Sequence, residues 1–321
     1  MVNRQYFRRS LHWTLIGAEP GDNSGSRMFR ALVLFLSTLL GWQQPAPVAP
    51  DDPEVEFICP MDKDIRSKIP GKCPLCGMTL VANLPDAHEF PVRITTKPKI
   101  LKPGEETLLT LRVENPATAK TVRDFTVMHE KLFHLFLISQ DMQFFQHVHP
   151  IMQADGTFDL DIKFPHPGLY RLLSDFYPAG ATPQLIANTL FVPGAGMKIA
   201  AAKLTPDLGP NKTANLEVSL STDPPQPIAG MKTLMFFRLT PNDGIEPYIG
   251  AMGHMLAASW DLIDLIHTHP FLVTDPDSGA VKQIQFNLIF PREGVYRVWV
   301  QFQRKGVVNT AVFNIPVTVL K

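Results

Sequence analysis

From about residue 88 onward, apolar residues come in short runs that alternate with polar ones or stand as brief solid blocks, and Pro, Gly, Asn and Asp separate the runs. Alternation of period two marks a half-buried strand, and turn residues between such runs mark a protein of many short strands. The runs predict strands at 90–95, 107–113, 134–139, 144–149, 157–164, 168–176 and 186–192. A second series follows at 215–220, 233–239, 254–259, 265–269, 282–290, 294–302 and 307–317. No sustained period of 3.6 follows about residue 45, so the body is predicted to be all-β. Two such series of short strands predict two tandem β-sandwiches.

The two series are copies of one unit. Phe164-Pro165-His166-Pro167-Gly168-Leu169-Tyr170-Arg171 corresponds to Phe290-Pro291-Arg292-Glu293-Gly294-Val295-Tyr296-Arg297. A Gly-x-Tyr entering a late strand is similar to the corner tyrosine of immunoglobulin-like sandwiches. Tyr170 and Tyr296 are therefore expected to fix a turn through their hydroxyls. The expected layout is a tail, apolar segment and Pro-rich linker over 1–54, a Cys-bearing module over 55–84, and immunoglobulin-like sandwiches over 88–195 and 196–321. The stretch 193–210 is the expected hinge.

A second repeated feature carries chemistry. His134, His147 and His149 are closed by Pro150, and His254, His267 and His269 by Pro270; in both copies the first histidine precedes the second by 13 residues and the third by 15. Residues two apart on a strand share a face, so His147 joins His149 and His267 joins His269. Gln140-Asp141-Met142 is the expected turn. A two-residue loop at 140–141 sets His134 opposite His147, and one at 141–142 sets it opposite His149. Either register gathers three imidazoles on one face, whereas a three-residue loop sends His134 to the other. Three imidazoles with an open position suit zinc or copper. The alternative is a set of half-buried histidines tying the hairpin to nearby loops. His129 has no counterpart in the second copy and is an optional extra ligand. Met252 and Met255, beside His254, are expected as core fillers, and His166 is expected at the surface.

Composition narrows the partners. The 321 residues carry 30 basic and 30 acidic side chains, a balance that argues against a nucleic-acid partner. Arg30 precedes an apolar run at 31–42 with the proportions of a signal-peptide core, short of a comfortable membrane span. Export to the periplasm or cell envelope is expected, with membrane contact only where that segment stays uncleaved. Met28 is an alternative start.

The three cysteines, Cys59, Cys73 and Cys76, fall within 18 residues, an odd cluster that reads as a metal knuckle rather than a disulfide framework. Cys73-Pro74-Leu75-Cys76-Gly77 brings two sulfurs to one point, and Gly77 can take a left-handed backbone there. A segment this short buries too little core to hold its shape without a bound ion. Cys59, Pro60, Met61, Pro70, Gly71, Cys73, Pro74, Cys76, Gly77 and Met78 fill a pattern that resembles the small heavy-metal-binding, YHS-like domain. That domain accompanies copper-transporting ATPases and periplasmic adaptor subunits of metal-efflux systems. The resemblance implies a copper or zinc ion on Cys59, Cys73 and Cys76, with Met61 and Met78 as further sulfur donors, and a metal-efflux or envelope protein as partner. Asp62-Lys63 stands where the family has His-Pro, so the fourth ligand stays open among Asp62, Met61, Met78, His88 and solvent. The two-sandwich half also resembles uncharacterised exported proteins with a His-x-His-Pro hairpin, often fused to such a module.

Several classes fall away. A blue-copper site needs a thiolate beside its histidines, and neither sandwich contains cysteine. No phosphate loop, Gly-x-Ser-x-Gly elbow or His-Glu-x-x-His helix is present, and the acidic residues read as scattered over turns and exposed faces. The expected function is sequestration or hand-over of a heavy-metal ion, copper before zinc, by an exported protein that is not an enzyme. The alternatives are an envelope scaffold with a structural zinc knuckle, and a metal-dependent hydrolase or oxidase on a three-histidine site.

Overall fold

The computed structural model describes residues 56–59, 65–75, 77–83, 88–179, 181–197, 201–273 and 283–320. The apolar segment at 31–42, Met28, the Pro-rich linker and three candidate ligands, Met61, Asp62 and Cys76, lie outside the described residues. Among the described residues every regular element is a strand.

The Cys module is a small antiparallel sheet of β1 (Glu56–Ile58), β2 (Arg66–Ser67) and β3 (Val81–Asn83), in the order β2-β1-β3. The first sandwich uses β4 (Val92–Lys97), β5 (Glu106–Val113), β6 (Phe133–Ser139), β7 (Phe145–Val148), β8 (Ile151–Met152), β9 (Phe158–Lys163), β10 (Gly168–Phe176) and β11 (Gln184–Val192). Its two sheets run β4-β5-β9-β8 and β11-β10-β6-β7. The second sandwich uses β12 (Asn211–Lys212), β13 (Glu217–Asp223), β14 (Lys232–Thr240), β15 (Ile245–Glu246), β16 (His254–Ser259), β17 (Leu265–Thr268), β18 (Leu272–Val273), β19 (Gln283–Ile289), β20 (Gly294–Arg304) and β21 (Val307–Val317). Its sheets are β12-β13-β14-β19-β18 and β20-β16-β17, with β15 and β21 also paired to β20.

Each sandwich closes over its own core. Leu109, Leu111 and Phe158 meet Phe133, Leu135, Leu137 and Tyr170 in the first. Val218, Phe237 and Phe286 meet Met255, Ala257 and Val298 in the second. Tyr170 donates to the carbonyl of His166 at 2.7 Å, the expected corner. The Tyr296 hydroxyl instead donates to the Asp264 carboxylate at 2.9 Å while accepting from the backbone N–H of Arg292 at 3.2 Å. His166, expected at the surface, is half-buried, with its Nδ1 3.3 Å from the Tyr170 hydroxyl.

Strands β6 and β16 are buried at every residue, not at alternate ones. Their odd face fills the sandwich core, and their other face meets the neighbouring sandwich. Phe136, Ile138 and Leu173 form one cluster with Leu256, Ala258 and Trp299. Phe145 stacks on Trp299, centroids 4.7 Å apart and planes within 6°, and Arg297 Nη1 donates to the Met142 carbonyl at 2.8 Å. The two sandwiches are thus docked sheet to sheet. The expected hinge joins this seam, because Ala202 and Leu204 lie in the same cluster and Asp207 exchanges two backbone hydrogen bonds with Asn314, each 2.9 Å.

Candidate metal centre

The hairpin register decides where the histidines go. Leu135 pairs with Val148 and Phe136 with His147, which sets His134 opposite His149. Met255 pairs with Thr268 and Leu256 with His267, which sets His254 opposite His269. This is the register of a loop centred on 141–142. Met142 and Leu262 take left-handed φ values of 58° and 57° there, and Ser139 and Ser259 donate to Asp141 and Asp261 at 2.5 and 2.6 Å. Alternation along β6 and β16 then turns His134 and His254 onto the docking face, beside Phe136 and Leu256. Met255 points the other way, into its own core.

Each trio converges. His134 Nδ1 lies 3.1 Å from His147 Nε2, and His149 Nε2 lies 3.3 Å from the same atom. His254 Nδ1 lies 3.0 Å from His269 Nε2. Within each trio, one nitrogen per ring falls within 4.8 Å of the others. Ring centroids are 4.7, 4.9 and 5.4 Å apart in the first trio and 4.5, 4.6 and 6.0 Å in the second. Three imidazoles on one tetrahedral zinc, with bonds of about 2.0 Å, place their centroids about 5 Å apart.

The outer nitrogens fix the tautomers. His134 Nε2 faces the Met128 carbonyl at 3.0 Å and His254 Nε2 the Tyr248 carbonyl at 2.8 Å. A carbonyl only accepts, so both nitrogens carry the proton and both Nδ1 atoms are bare. His267 Nδ1 donates to Asp175 Oδ2 at 2.6 Å and His147 Nδ1 to Gln301 Oε1 at 2.8 Å. The Gln301 amide nitrogen is committed to Thr310 at 3.1 Å, which orients its oxygen toward His147. His147 Nε2 is therefore bare as well. His134 Nδ1 and His147 Nε2 face each other as two lone pairs, and His267 Nε2 and His269 Nδ1 are buried without a hydrogen-bond partner. His149 can supply one hydrogen to its trio, which leaves the His134 contact unfilled.

A proton is a poor filler near neutral pH. Burial, reinforced by the charge of neighbouring imidazoles, pushes His134 down from 6.5 to about 4, His149 to about 3 and His254 to about 2. His147 and His269 are also lowered, for the same reasons. A cation bound by lone pairs is the chemistry this donor set fits.

The trios also face each other. His147 and His254 centroids are 5.3 Å apart, and His134 and His254 6.1 Å. Two matching tight turns frame the cluster. Met128 and Lys131 exchange backbone hydrogen bonds around His129 and Glu130, and Tyr248 and Ala251 do so around Ile249 and Gly250. All four central residues have positive φ, the mark of a type I′ turn. His129, the optional ligand, stacks on His269 at 3.7 Å with planes 27° apart. It lies outside both converging trios and covers the second.

Asp175 and Gln301 were illegible as site residues, and the view that acidic groups are confined to turns and exposed faces is corrected by Asp175. That residue sits in β10, pairs across the sheet with His134 and touches the other sandwich's histidine. Gln301 pairs with His254 in the same way. One signal was present: each lies five residues beyond its corner tyrosine.

In the Cys module, Cys59 and Cys73 are buried together with Phe57 and Leu80. Backbone bonds from Cys73 N to Met78 O (2.7 Å) and from Gly77 N to Cys73 O (2.9 Å) shape the knuckle. Met78 is 38% exposed and outside that cluster. His88 is exposed, with its carbonyl 3.5 Å from the Gln184 amide of the first sandwich.

Fold and site define a class: a heavy-metal-binding Cys module ahead of two docked β-sandwiches that carry paired histidine trios. A heavy metal binding domain family matches residues 57–83. The family described as domain of unknown function DUF8832 matches 87–190 and 204–319, well over half of the chain, and the chain belongs to that family as two tandem copies. No curated protein matches it in sequence. Similar solved structures include the Escherichia coli adhesin FdeC, with 13% identity, 74% of this chain and 69% of that one covered, and a TM-score of 0.24. Red sea bream transglutaminase shares 10% identity over 73% of this chain and 32% of its own, TM-score 0.23. The fibronectin(III)-like modules of Clostridium thermocellum CbhA share 9% over 71% and 94%, TM-score 0.18. The chain spans about a third of the transglutaminase, and these overlaps are too loose to carry a functional argument.

Proposed function

We propose that this chain is an exported metal-binding protein that holds a soft or borderline ion, copper first and zinc second, and passes it between sulfur and nitrogen ligands. One observation carries the reading: bare, buried imidazole nitrogens face one another at 3.1 Å with their outer N–H groups already committed. His134, His147 and His149 would hold one ion, and His254, His267 and His269 another. Cys59 and Cys73, with Cys76 beside them in sequence, would hold a third. Thiolates suit a reduced ion and imidazoles an oxidised one, so one chain can serve both states. The docked sandwiches bury most of the cluster and fix His134, His147, His254 and His267 through their outer nitrogens.

Hand-over is supported by the place of the Cys module. Gly77, next to Cys76, takes φ +75°, and a Cβ there would fall 2.5 Å from the Phe271 ring. Phe271 lies two residues beyond His269 in sequence, so the knuckle touches the segment that leaves the second trio. Export rests on the apolar segment at 31–42 and remains part of this proposal.

The test is a metal count. Full-length protein equilibrated with Zn(II) or Cu(II) and freed of excess by gel filtration is analysed by elemental mass spectrometry. His134→Ala and His254→Ala are each expected to lose one ion, and Cys73→Ser a different one. Unchanged stoichiometry in both histidine variants would leave only the scaffold reading, with a metal staple in the Cys module.

A further inference from the structure

The two trios share their ligand atoms, Nδ1 from the first histidine and Nε2 from the second, yet they differ one bond further out. His267, the middle ligand of the second trio, donates its outer N–H to a carboxylate, Asp175 Oδ2 at 2.6 Å. His147, the middle ligand of the first, donates to an uncharged amide, Gln301 Oε1 at 2.8 Å. The two backing groups are structural equivalents. Asp175 pairs across β10 and β6 with His134, and Gln301 across β20 and β16 with His254. Neither serves the histidine beside it. Each reaches over the seam to the other sandwich, because Leu173, Asp175, Trp299 and Gln301 lie on the docking face of their strands while Leu172 and Val300 face the cores.

A carboxylate behind a ligating imidazole raises its basicity and fixes the ring, and loss of such a partner commonly costs ten- to a hundredfold in metal affinity. It also brings one negative charge to a buried cluster of imidazoles. An amide orients the ring and adds no charge. We infer that Asp175 and Gln301 are positioning residues exchanged between the repeats, which make the sites unequal: the His254/His267/His269 site takes a divalent ion first and holds it, and the His134/His147/His149 site fills second and empties first. This rests on the proposal that the trios bind metal. The order also suits the layout, since the Cys module touches the chain beside the second, tighter trio at Phe271. Two dications in one buried cluster repel each other, which widens the gap between first and second binding.

The experiment is a Zn(II) titration of the full chain against a chromophoric chelator, with Co(II) absorption as the spectroscopic report on each site. His134→Ala and His254→Ala assign the two histidine-dependent steps. Asp175→Asn is expected to weaken the tighter step ten- to a hundredfold and to change the Co(II) spectrum of that step alone. Asp175→Glu should restore part of the loss. Gln301→Glu is expected to tighten the weaker step by a similar factor, a gain that damaged folding cannot imitate. The inference is overturned if His134→Ala and His254→Ala each remove one ion while Asp175→Asn and Gln301→Glu leave the order and spacing of the steps as in the wild type. It is also overturned if both substitutions weaken both steps equally. Where the histidine substitutions remove no zinc at all, the underlying metal reading falls with it, and the two failures are told apart by that control.

Discussion

Acid should loosen the metal-free protein well before its carboxylates titrate. His134 and His254 are 2% and 1% exposed and are far less basic in the fold than in the unfolded chain, about 4 and about 2 against 6.5. Unfolding therefore takes up protons, and acid favours the unfolded state. The stability these neutral rings allow is whole above pH 6.5 and falls as pH drops below that value, until the folded groups themselves protonate near 4 and 2. At pH 5 the unfolded chain gains about 2 kcal/mol per histidine, at 1.36 kcal/mol per pH unit, so the two residues together account for about 4 kcal/mol. His147 and His269 act in the same direction. Two facing imidazoles can share one proton, which trims the total. A loss of that size is a large part of a typical domain's 5–15 kcal/mol. With a urea slope of about 2–3 kcal/mol/M, the midpoint of chelator-treated protein should fall by about 1.5 M between pH 7.5 and 5. Zinc competes with protons for the same lone pairs, so loaded protein should keep its midpoint to lower pH. A metal-free midpoint unchanged across that range would refute neutral, buried trios.

Three further outcomes follow from the same structure. Trp299→Ala opens the seam where the ring stacks on Phe145, should cost about 3–5 kcal/mol in denaturation, and should weaken zinc binding at both trios, because each borrows a partner across that seam. Tyr170→Phe removes the bond to the His166 carbonyl and should cost about 1–2 kcal/mol in thermal unfolding while leaving metal stoichiometry as it was. Phe271→Ser removes the ring against Gly77 and should slow movement of Cu from the Cys module to the histidines in stopped-flow absorption, with the final count of bound ions unchanged; an unaltered rate would refute the contact's part in transfer.

The strands and the trio spacing were readable because both depend on local pattern: period-two alternation, turn residues, and a spacing of 13 and 15 repeated in a divergent copy. The corner tyrosines were readable for the same reason. The docking of one sandwich on the other was not. Strand β6 reads Phe-His-Leu-Phe-Leu-Ile-Ser, and a solid apolar run does not say whether its second face meets solvent, a helix or a second sheet. The partners of the outer nitrogens were hidden for a related reason, since Asp175 and Gln301 act across the seam, 92 and 154 residues from the histidines they hold. The type I′ turns were missed because Met128-His129-Glu130-Lys131 carries no glycine or asparagine to announce left-handed backbone, although the second copy has Gly250.

The most direct measurement is anomalous diffraction at the zinc edge from crystals of zinc-loaded protein. The account predicts one peak about 2.0–2.1 Å from His134 Nδ1, His147 Nε2 and His149 Nε2, and another at the same distance from His254 Nδ1, His267 Nε2 and His269 Nε2. Density without either peak, with the six rings turned to hydrogen-bond one another, would contradict it.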